Sequence, residues 1–372
     1  MFRFFIFCFI LLISKLAWSY PQYVSYGYRS CLTCHYNPMG NGPLTDYGRA
    51  VSATAVSDRM FISKKTSEEQ LAQRSAANFK GWKKNTWFRP SASYRGLTYV
   101  SNLGDDTQET EFLNMVAEVT VVTKFLKRDR LIAVADIGYS PQGSDEDALP
   151  IRTREHYIGY RFNKFWGAYL GMLDKAFGIR LVDHRAYSRL VNSIAENDQT
   201  HGLMIHYSDK KLEGAIHGFL GNLFNDKDVR QVGLSTTGEF SLTKKVHLGA
   251  SFMTSSSDYK DIFSMALHGR FALGKGNAVL TELGRRNETK SNEEATAYYA
   301  ILRGQTELKR GVFLNLGTEF QDSDKKYLKF MGGLQWFPIQ RLEFELDISN
   351  ERSYSTSDSS SYALSSQIHL WL

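Results

Sequence analysis

The sequence predicts an all-β protein: an antiparallel transmembrane β-barrel of about 16 strands, of the outer-membrane type, behind a small N-terminal segment. Three observations predict this fold. Apolar and polar residues alternate with a period of two from about residue 86 to the end. Short turns and long polar loops alternate between the predicted strands. Mean hydropathy is -0.34 although 42% of the residues are apolar, as expected for strands with one apolar and one polar face.

The alternation is clearest near the C-terminus. In residues 342–349 the even positions are Leu, Phe, Leu and Ile, and the odd positions are Glu, Glu, Asp and Ser. Such a strand has one apolar face and one polar face. The predicted strands span 86–100, 110–124, 130–139, 151–163, 165–174, 199–208, 212–222, 230–242, 245–254, 261–272, 276–285, 296–309, 311–321, 325–337, 339–349 and 362–372.

The links between these strands favour a membrane barrel over a soluble periplasmic β-protein, which is the alternative. Short turns are predicted at 163–164, 208–212, 243–244, 273–276, 310 and 338. Longer polar loops are predicted at 101–109, 140–150, 175–198, 223–229, 255–260, 286–295 and 350–361. Bacterial outer-membrane barrels have short periplasmic turns and longer external loops. An even number of strands then places both ends of the barrel on the periplasmic side.

The first 19 residues have the features of a secretory signal peptide. Arg3 precedes an apolar run at 4–13, and small residues lead to a predicted cleavage after Ser19. A retained N-terminal anchor is the alternative. Without this segment the net charge falls from +6 to +4, because Arg3 and Lys15 leave with it, and no basic block indicates nucleic-acid binding. The remaining chain contains two cysteines, Cys31 and Cys34.

These two cysteines belong to the sequence Cys31-Leu32-Thr33-Cys34-His35, which fits the C-x-x-C-H signature of covalent c-type haem attachment. In that chemistry each thiol adds to a vinyl group of the porphyrin, and the adjacent histidine ligates the iron. Export from the cytoplasm is required for this attachment and agrees with the signal peptide. A redox dithiol, half of a zinc site and a simple disulfide are the competing interpretations.

The sixth iron ligand is a separate question. Met60 is the first candidate, because 25 residues separate it from His35 and a thioether ligand suits electron transfer. Met39 follows His35 by only four residues and is a weaker candidate. Met115 or a histidine inside the barrel is a further alternative.

The N-terminal segment resembles that of the fused outer-membrane cytochrome–porins. Pro21, the Cys31–His35 core, Pro38 and Leu44–Arg49 (LTDYGR) carry the resemblance, over about 30 residues, and 39–43 (MGNGP) departs from the family pattern. In that family one haem c domain precedes a barrel of about this size, and some members oxidise iron at the cell surface. The resemblance therefore implies one covalent haem c and electron transfer.

The predicted organisation is a signal peptide at 1–19, a haem c segment at 20–64, a helical connector at 65–85 and the barrel at 86–372. The predicted function is electron transfer across the outer membrane, between an external donor or acceptor, with iron as one candidate, and a periplasmic cytochrome or other carrier. The haem segment would lie in the periplasm or inside the barrel, and the barrel would contact lipid. A diffusion porin with a structural or sensory haem plug is the alternative. No residue pattern indicates a hydrolase or a transferase.

Two further predictions concern the barrel interior. Loop 175–198 contains Arg180, Asp183, His184 and Arg185; it is either an ordinary exposed loop or one that folds inward and narrows the pore. Charged residues on the polar faces of strands are expected to line the lumen. They are Arg161, Arg270, Arg303, Glu319, Glu343, Glu345 and Asp347.

Overall fold

The computed structural model describes residues 20–40, 42–63, 65–76, 87–126, 129–139, 151–183, 185–195, 197–291, 293–354 and 359–372. The signal peptide, loop 140–150, His184 and residues 77–86 of the connector lie outside the described residues. Seventeen strand segments form one antiparallel sheet that closes on itself. They are β1 Phe88–Ser101, β2 Glu109–Lys124, β3 Leu131–Tyr139, β4 Ile151–Arg152, β5 His156–Arg161, β6 Trp166–Leu173, β7 Thr200–Ser208, β8 Leu212–Phe219, β9 Val232–Ser241, β10 Val246–Ser256, β11 Lys260–Gly274, β12 Asn277–Lys290, β13 Glu293–Lys309, β14 Val312–Asp322, β15 Lys326–Ile339, β16 Leu342–Ser353 and β17 Ser359–Trp371.

The barrel has sixteen transmembrane strands, because β4 and β5 are two parts of one strand. Both pair with β3, and residues 153–155 interrupt the pairing between them. The Asp136 carboxylate replaces the lost partners there: it accepts hydrogen bonds from the hydroxyl of Thr153 (3.0 Å) and the backbone amides of Arg154 (2.8 Å) and Glu155 (3.0 Å). β1 pairs with both β2 and β17, which closes the ring. The predicted sixteen-stranded antiparallel barrel is confirmed.

The alternation of short and long links is also present. The short turns, such as those between β9 and β10 and between β13 and β14, lie at one end of the barrel, together with the start of β1 and the end of β17. The long loops lie at the opposite end. Since outer-membrane barrels place their short turns in the periplasm, the chain enters and leaves the barrel on that side.

The outer surface of the wall is apolar. Its exposed side chains between the two ends are mainly aliphatic, for example Leu170, Leu203 and Leu283. Exposed aromatic residues form a girdle near the short turns: Trp87, Phe125, Phe162, Phe165, Trp166, Phe240 and Phe344. An apolar band with aromatic residues at its border is the surface that a lipid bilayer requires.

Helices are few. α1 is Asp46–Val51, α2 is Glu68–Ala76 and α3 is Tyr187–Val191. α2 begins with a reciprocal cap in which the Ser67 hydroxyl accepts from the Gln70 amide at 3.1 Å and the Gln70 side chain accepts from the Ser67 amide at 3.2 Å. Among the described residues, none of the helices combines the length and apolar character needed to cross a bilayer.

The interior of the barrel is filled from both ends. An apolar cluster forms where loop 174–199 packs against the inner wall, around Phe177, Leu181 and Ile301. Other clusters form where the N-terminal segment packs against the wall, around Tyr36 and Met39 in one place and around Val56 in another. These two inward elements define the site.

Candidate functional site in the barrel lumen

The N-terminal segment, residues 20–63, lies inside the short-turn end of the barrel. Val24 packs on Ala272 and Ala278 beside one short turn. Val56 packs on Phe313 and Phe337 beside the next two short turns along the rim. Across the lumen, Tyr36 and Met39 pack in one cluster with Val134 of β3 and Met204 of β7. The segment therefore spans the lumen and fills its periplasmic mouth.

Polar contacts hold the part of the segment that precedes the cysteines. Arg29 Nη1 donates to the Ser241 hydroxyl at 2.7 Å, and Arg29 also donates to the carbonyl of Asp209. Arg270, one of the charged residues predicted to line the lumen, donates from Nη2 to the Arg29 carbonyl at 3.0 Å and forms an ion pair with Glu239. The wall thus holds the chain two residues before Cys31.

Residues Cys31–Thr33 form one 3-10 turn, and Cys34 caps its C-terminal end. The amides of Cys34 and His35 donate to the Cys31 carbonyl at 3.1 and 2.9 Å. Both cysteines are half-buried and are not joined by a disulfide. Burial raises the pKa of the Cys31 thiol to about 12 and that of Cys34 to about 11. Because nucleophilic dithiols require a lowered pKa, these values do not favour the redox-dithiol interpretation.

The His35 ring is oriented by the backbone that follows it. His35 forms an isolated antiparallel bridge with Leu44, and its Nδ1 lies 3.2 Å from the Gly42 carbonyl oxygen. A carbonyl only accepts, so this contact assigns the proton to Nδ1 and the lone pair to Nε2. Histidines that ligate metals commonly show this arrangement, in which a backbone carbonyl fixes the tautomer and the ring direction.

Residues 44–49 connect the turn at residues 31–34 to the barrel wall. Thr45 donates from its amide to the Cys34 carbonyl at 2.8 Å, and its hydroxyl accepts the Gly48 amide as the cap of α1. A Cβ on Gly48 would lie 2.3 Å from the Cys34 carbonyl oxygen, so this position excludes any larger residue. Asp46 forms two 2.9 Å hydrogen bonds to the guanidinium of Arg89, which is buried at the start of β1. Asp46, Gly48 and Arg89 were not among the residues proposed from sequence, although LTDYGR carried the resemblance.

A second anchor follows the histidine. The Asn37 side chain is fully buried; it donates to Glu155 Oε1 at 2.7 Å and accepts the Met39 amide at 2.8 Å. Glu155 belongs to the interruption between β4 and β5, so the broken strand supplies the carboxylate that meets the segment. Sequence analysis did not identify this pair, because no local pattern relates residue 37 to residue 155.

A cavity of about 360 Å³ lies between the segment and the inward loop. Cys31, Cys34 and His35 all line it, together with apolar side chains such as Leu44 and Leu181. Several cationic side chains also line it: Arg29, Arg49, Arg95, Arg154, Arg180, Arg189 and Arg270. A haem has an apolar ring and two carboxylates, so thiols and an oriented imidazole beside an apolar and arginine-rich cavity fit this group.

The structure separates the candidate sixth ligands. Met39 is 7% exposed and lines the cavity. Met60 is 56% exposed; its amide donates to the Pro338 carbonyl at the short-turn rim, and its side chain does not line the cavity. Met115 lines a different cavity nearer the external loops. Three lumenal histidines, His206, His268 and His369, line the same cavity as Cys31.

Among these histidines, His369 is held on both ring nitrogens, by Glu343 at 3.1 Å and by the Ser93 hydroxyl at 3.2 Å. His206 Nε2 contacts Glu213 at 3.3 Å, whereas the buried Nδ1 of His268 has no hydrogen-bond partner. Among the described residues, no three His, Cys, Asp or Glu side chains converge as a metal cluster.

Loop 174–199 folds inward, which decides between the two predictions made for it. Four of its backbone amides donate to side chains of the wall: Ala176 to Ser235 at 3.0 Å, Gly178 to Ser251 at 2.9 Å, Ile179 to Glu282 at 2.6 Å and Tyr187 to Glu319 at 2.9 Å. Asp183 forms an ion pair with Arg303. His184 lies outside the described residues.

The predicted lumenal charges line the interior. Arg303 pairs with Glu319, which is fully buried, and Glu343 accepts from Gln335 at 2.6 Å. Glu345 and Asp347 line a second cavity of about 210 Å³ between the loop and strands β15–β17. The route from the external loops to the first cavity is therefore narrow and charged.

Comparisons with known proteins identify the barrel only. No protein-family model and no curated protein matches the chain. An anion-selective porin from Comamonas acidovorans has a TM-score of 0.60 at 9% identity, over 77% of this chain and 99% of that porin. The outer-membrane channel DcaP of Acinetobacter baumannii has a TM-score of 0.59 at 9% identity, over 77% and 97%. OmpT of Vibrio cholerae has a TM-score of 0.57 at 8% identity, with the same coverage.

Identities this low show the fold alone. The covered share is close to the share of the chain that lies in residues 88–372. The chain therefore contains a porin-like outer-membrane β-barrel whose outer surface would contact membrane lipid.

Proposed function

We propose that this protein transfers electrons across the outer membrane through one haem c held in the barrel lumen. Cys31 and Cys34 would form the two thioether bonds, each by addition of its S–H across a vinyl group, and His35 Nε2 would ligate the iron. The observation that carries the proposal is the position of the C-x-x-C-H turn, which lines a cavity inside a membrane-spanning wall. When bound, a haem supplies one-electron oxidation and reduction at its iron.

The protein's own residues support this role in three ways. Gly42 orients the His35 ring, and Thr45 and Asp46 attach the turn to the wall. Arg49 and Arg95 in the cavity lining could meet carboxylates, whereas Arg154, Arg180 and Arg270 already pair with Glu118, Asp174 and Glu239. The segment and loop 174–199 together restrict water and solutes, so that the redox centre rather than an open pore would connect the two sides. We propose Met39 or one of the lumenal histidines as the sixth ligand, because these side chains line the cavity, whereas Met60 lies at the rim.

A diffusion porin with a structural or sensory haem plug is the second candidate. The porin-like fold favours it, because solved relatives of this fold include channels. Electron transfer and solute diffusion make opposite demands on the lumen, so conductance and electron flux discriminate between them.

The test is expression of the full chain with the cytochrome maturation machinery, followed by purification from the membrane fraction. We expect a red protein that retains haem after denaturation, and a colourless Cys31→Ala/Cys34→Ala variant with the same heat-resistant barrel. Reconstituted into liposomes that contain reduced methyl viologen, the native protein should pass electrons to external ferric citrate, and the variant should not. A colourless native protein would refute the haem assignment. A red protein with porin-like conductance and no electron flux would favour the diffusion porin.

A further inference from the structure

The short-turn rim of the barrel carries an unusual arc of positive charge. Five turns that follow one another around the rim, from the β2–β3 turn to the β11–β12 turn, each expose at least one Lys or Arg. We call these residues the basic collar: Arg130, Lys164, Lys210, Lys211, Lys244, Lys245 and Lys275. The external loops, in contrast, carry charges of both signs.

The acids at these turns do not neutralise the collar. Asp129 pairs with Lys124, which is not a collar residue. The Asp209 carboxylate accepts the Lys211 and Leu212 amides at 2.7 and 2.8 Å and the Tyr207 hydroxyl at 2.9 Å, so it stabilises its own turn. Among the described residues, none of the collar side chains forms an ion pair.

The rest of the rim differs, because the N-terminal segment covers it. Lys309 pairs with Asp58 at 3.0 Å, Arg310 donates to the Ser57 carbonyl at 2.8 Å, and the Ser52 hydroxyl donates to the Gln340 carbonyl at 3.0 Å. The cationic side chains of the β13–β14 turn thus bind to the N-terminal segment. Arg130 of the collar likewise donates to the Tyr160 hydroxyl and to the Arg161 and Phe162 carbonyls. The six collar lysines, in contrast, are exposed and form no ion pair among the described residues.

The densest part of the collar lies beside the proposed redox site. Lys210 and Lys211 occupy the turn whose Asp209 carbonyl accepts from Arg29, and Lys244 and Lys245 follow Ser241, whose hydroxyl also accepts from Arg29. Arg29 is two residues from Cys31. A molecule that docks on these two turns is therefore close to the haem-attachment turn.

An aromatic pair also connects this region to solvent. Tyr28 lines the same cavity as Cys34, and its hydroxyl lies 3.0 Å from that of Tyr47, which is 51% exposed. The two rings pack edge to face at 6.1 Å. The cavity wall on this side is thus an exposed aromatic surface and not a thick protein layer.

We propose that the basic collar is the docking surface for an acidic soluble redox protein on the periplasmic side. This proposal rests on the proposed electron-transfer function, because that function gives the docked protein its role. Complementary charge raises the rate of encounter by roughly 10–10³-fold and orients the partners, and the effect falls with ionic strength. Lipid headgroups are the competing occupant. The position of the four lysines Lys210, Lys211, Lys244 and Lys245 favours a protein, because they lie on the two turns that contact Arg29 beside the haem-attachment turn, where a redox partner has to dock and a lipid headgroup does not.

The test uses the full-length, haem-loaded protein in nanodiscs of zwitterionic lipid. The probes are an acidic flavodoxin and a basic mitochondrial cytochrome c, and binding is followed by biolayer interferometry, which does not require haem. The collar variant changes Lys210, Lys211, Lys244 and Lys245 to Glu. A matched control changes four exposed lysines of the external loops, Lys227, Lys290, Lys325 and Lys326, to Glu. A milder variant with the same collar lysines changed to Gln replaces the first if that barrel does not fold.

We expect the association rate of flavodoxin with the collar variant to fall at least about tenfold at low ionic strength, and the difference to vanish near 1 M salt. The control variant should bind flavodoxin like the native protein. The basic cytochrome c should associate faster with the collar variant than with the native protein. An equal loss in both variants, or no loss in either, would overturn the proposal. So would an unchanged flavodoxin rate combined with lost binding to phosphatidylglycerol vesicles, which would assign the collar to lipid.

Haem content, measured in the same samples, separates this inference from the proposed function. A colourless protein with collar-dependent flavodoxin binding would retain the docking surface and refute the haem. A red protein without collar dependence would refute the docking surface alone.

Discussion

The barrel wall and the N-terminal segment are built on different principles. In the wall, each transmembrane strand pairs with two neighbours through a ladder of backbone hydrogen bonds, which is interrupted at residues 153–155, and the lipid face needs only apolar side chains. The segment has short helical turns and one isolated bridge, and individual side chains attach it to the wall: Arg29, Asn37 and Asp46. The wall tolerates sequence change wherever the alternation is kept, whereas the segment depends on particular residues.

This contrast explains what the solved relatives share with the chain. Porins at 8–10% identity match about the length of the wall, because many sequences satisfy backbone pairing and an apolar outer face. The contacts of the segment are specific to this sequence, and they include the residues on which the proposed function depends.

The largest effect is expected from removal of the segment. A chain that lacks residues 20–76 should keep its heat-resistant barrel, because none of the wall ladders includes these residues. Its conductance in planar bilayers should rise from a closed to a porin-like open level, since sixteen strands enclose an aqueous channel when nothing fills it. Unchanged conductance would mean that loop 174–199 alone closes the lumen and that the segment is not the plug.

A smaller effect is expected from Asp46→Ala. It removes the carboxylate from the Arg89 guanidinium, which is 3% exposed, and should weaken docking of the segment by about 3 kcal/mol. This corresponds to roughly a hundredfold faster tryptic cleavage within residues 20–76, if cleavage follows local opening. The double variant Asp46→Ala/Arg89→Met should recover part of the lost docking free energy, because it leaves no unpaired buried charge at this site.

The control for that experiment is a wall ion pair. Lys326 and Asp322 form a 3.1 Å pair on the external side, with side chains 58% and 31% exposed. An exposed pair contributes about 0–1 kcal/mol, so Lys326→Ala should leave cleavage of the segment unchanged. Similar cleavage of Asp46→Ala and the native protein would show that the Asp46–Arg89 pair does not hold the segment.

The smallest effect is expected from the addition of one methyl group at Gly48. Gly48→Ala places a Cβ 2.3 Å from the Cys34 carbonyl oxygen, and such overpacking costs about 1–3 kcal/mol. We expect less haem per barrel after maturation, measured as the pyridine haemochrome. The same substitution in the wall, Gly218→Ala, meets no atom within 4 Å and should leave haem content unchanged. Equal haem content in both variants would exclude a positioning role for Gly48.

The two regions also differ in how well sequence predicts them. Each predicted strand overlaps an observed one, because a period of two is a local property of the chain and the bilayer imposes it on every strand. Boundaries shifted by a few residues, as for the strand predicted at 276–285 and observed at Asn277–Lys290. The break at 153–155 was not predicted, since it depends on the side chain of Asp136 in the neighbouring strand.

The barrel, its strand number, the alternation of its links and the C-x-x-C-H motif could be predicted from the amino-acid sequence, because each of them is a pattern of neighbouring residues. The position of the turn inside the lumen, the inward fold of loop 174–199 and the presence of Met39 rather than Met60 in the cavity lining became visible only in the folded protein. These outcomes depend on pairs such as Asn37 with Glu155 and Asp46 with Arg89, which are distant in sequence and meet only after the barrel has closed. Local sequence patterns carry no information about such pairs, and the proposed function depends on them.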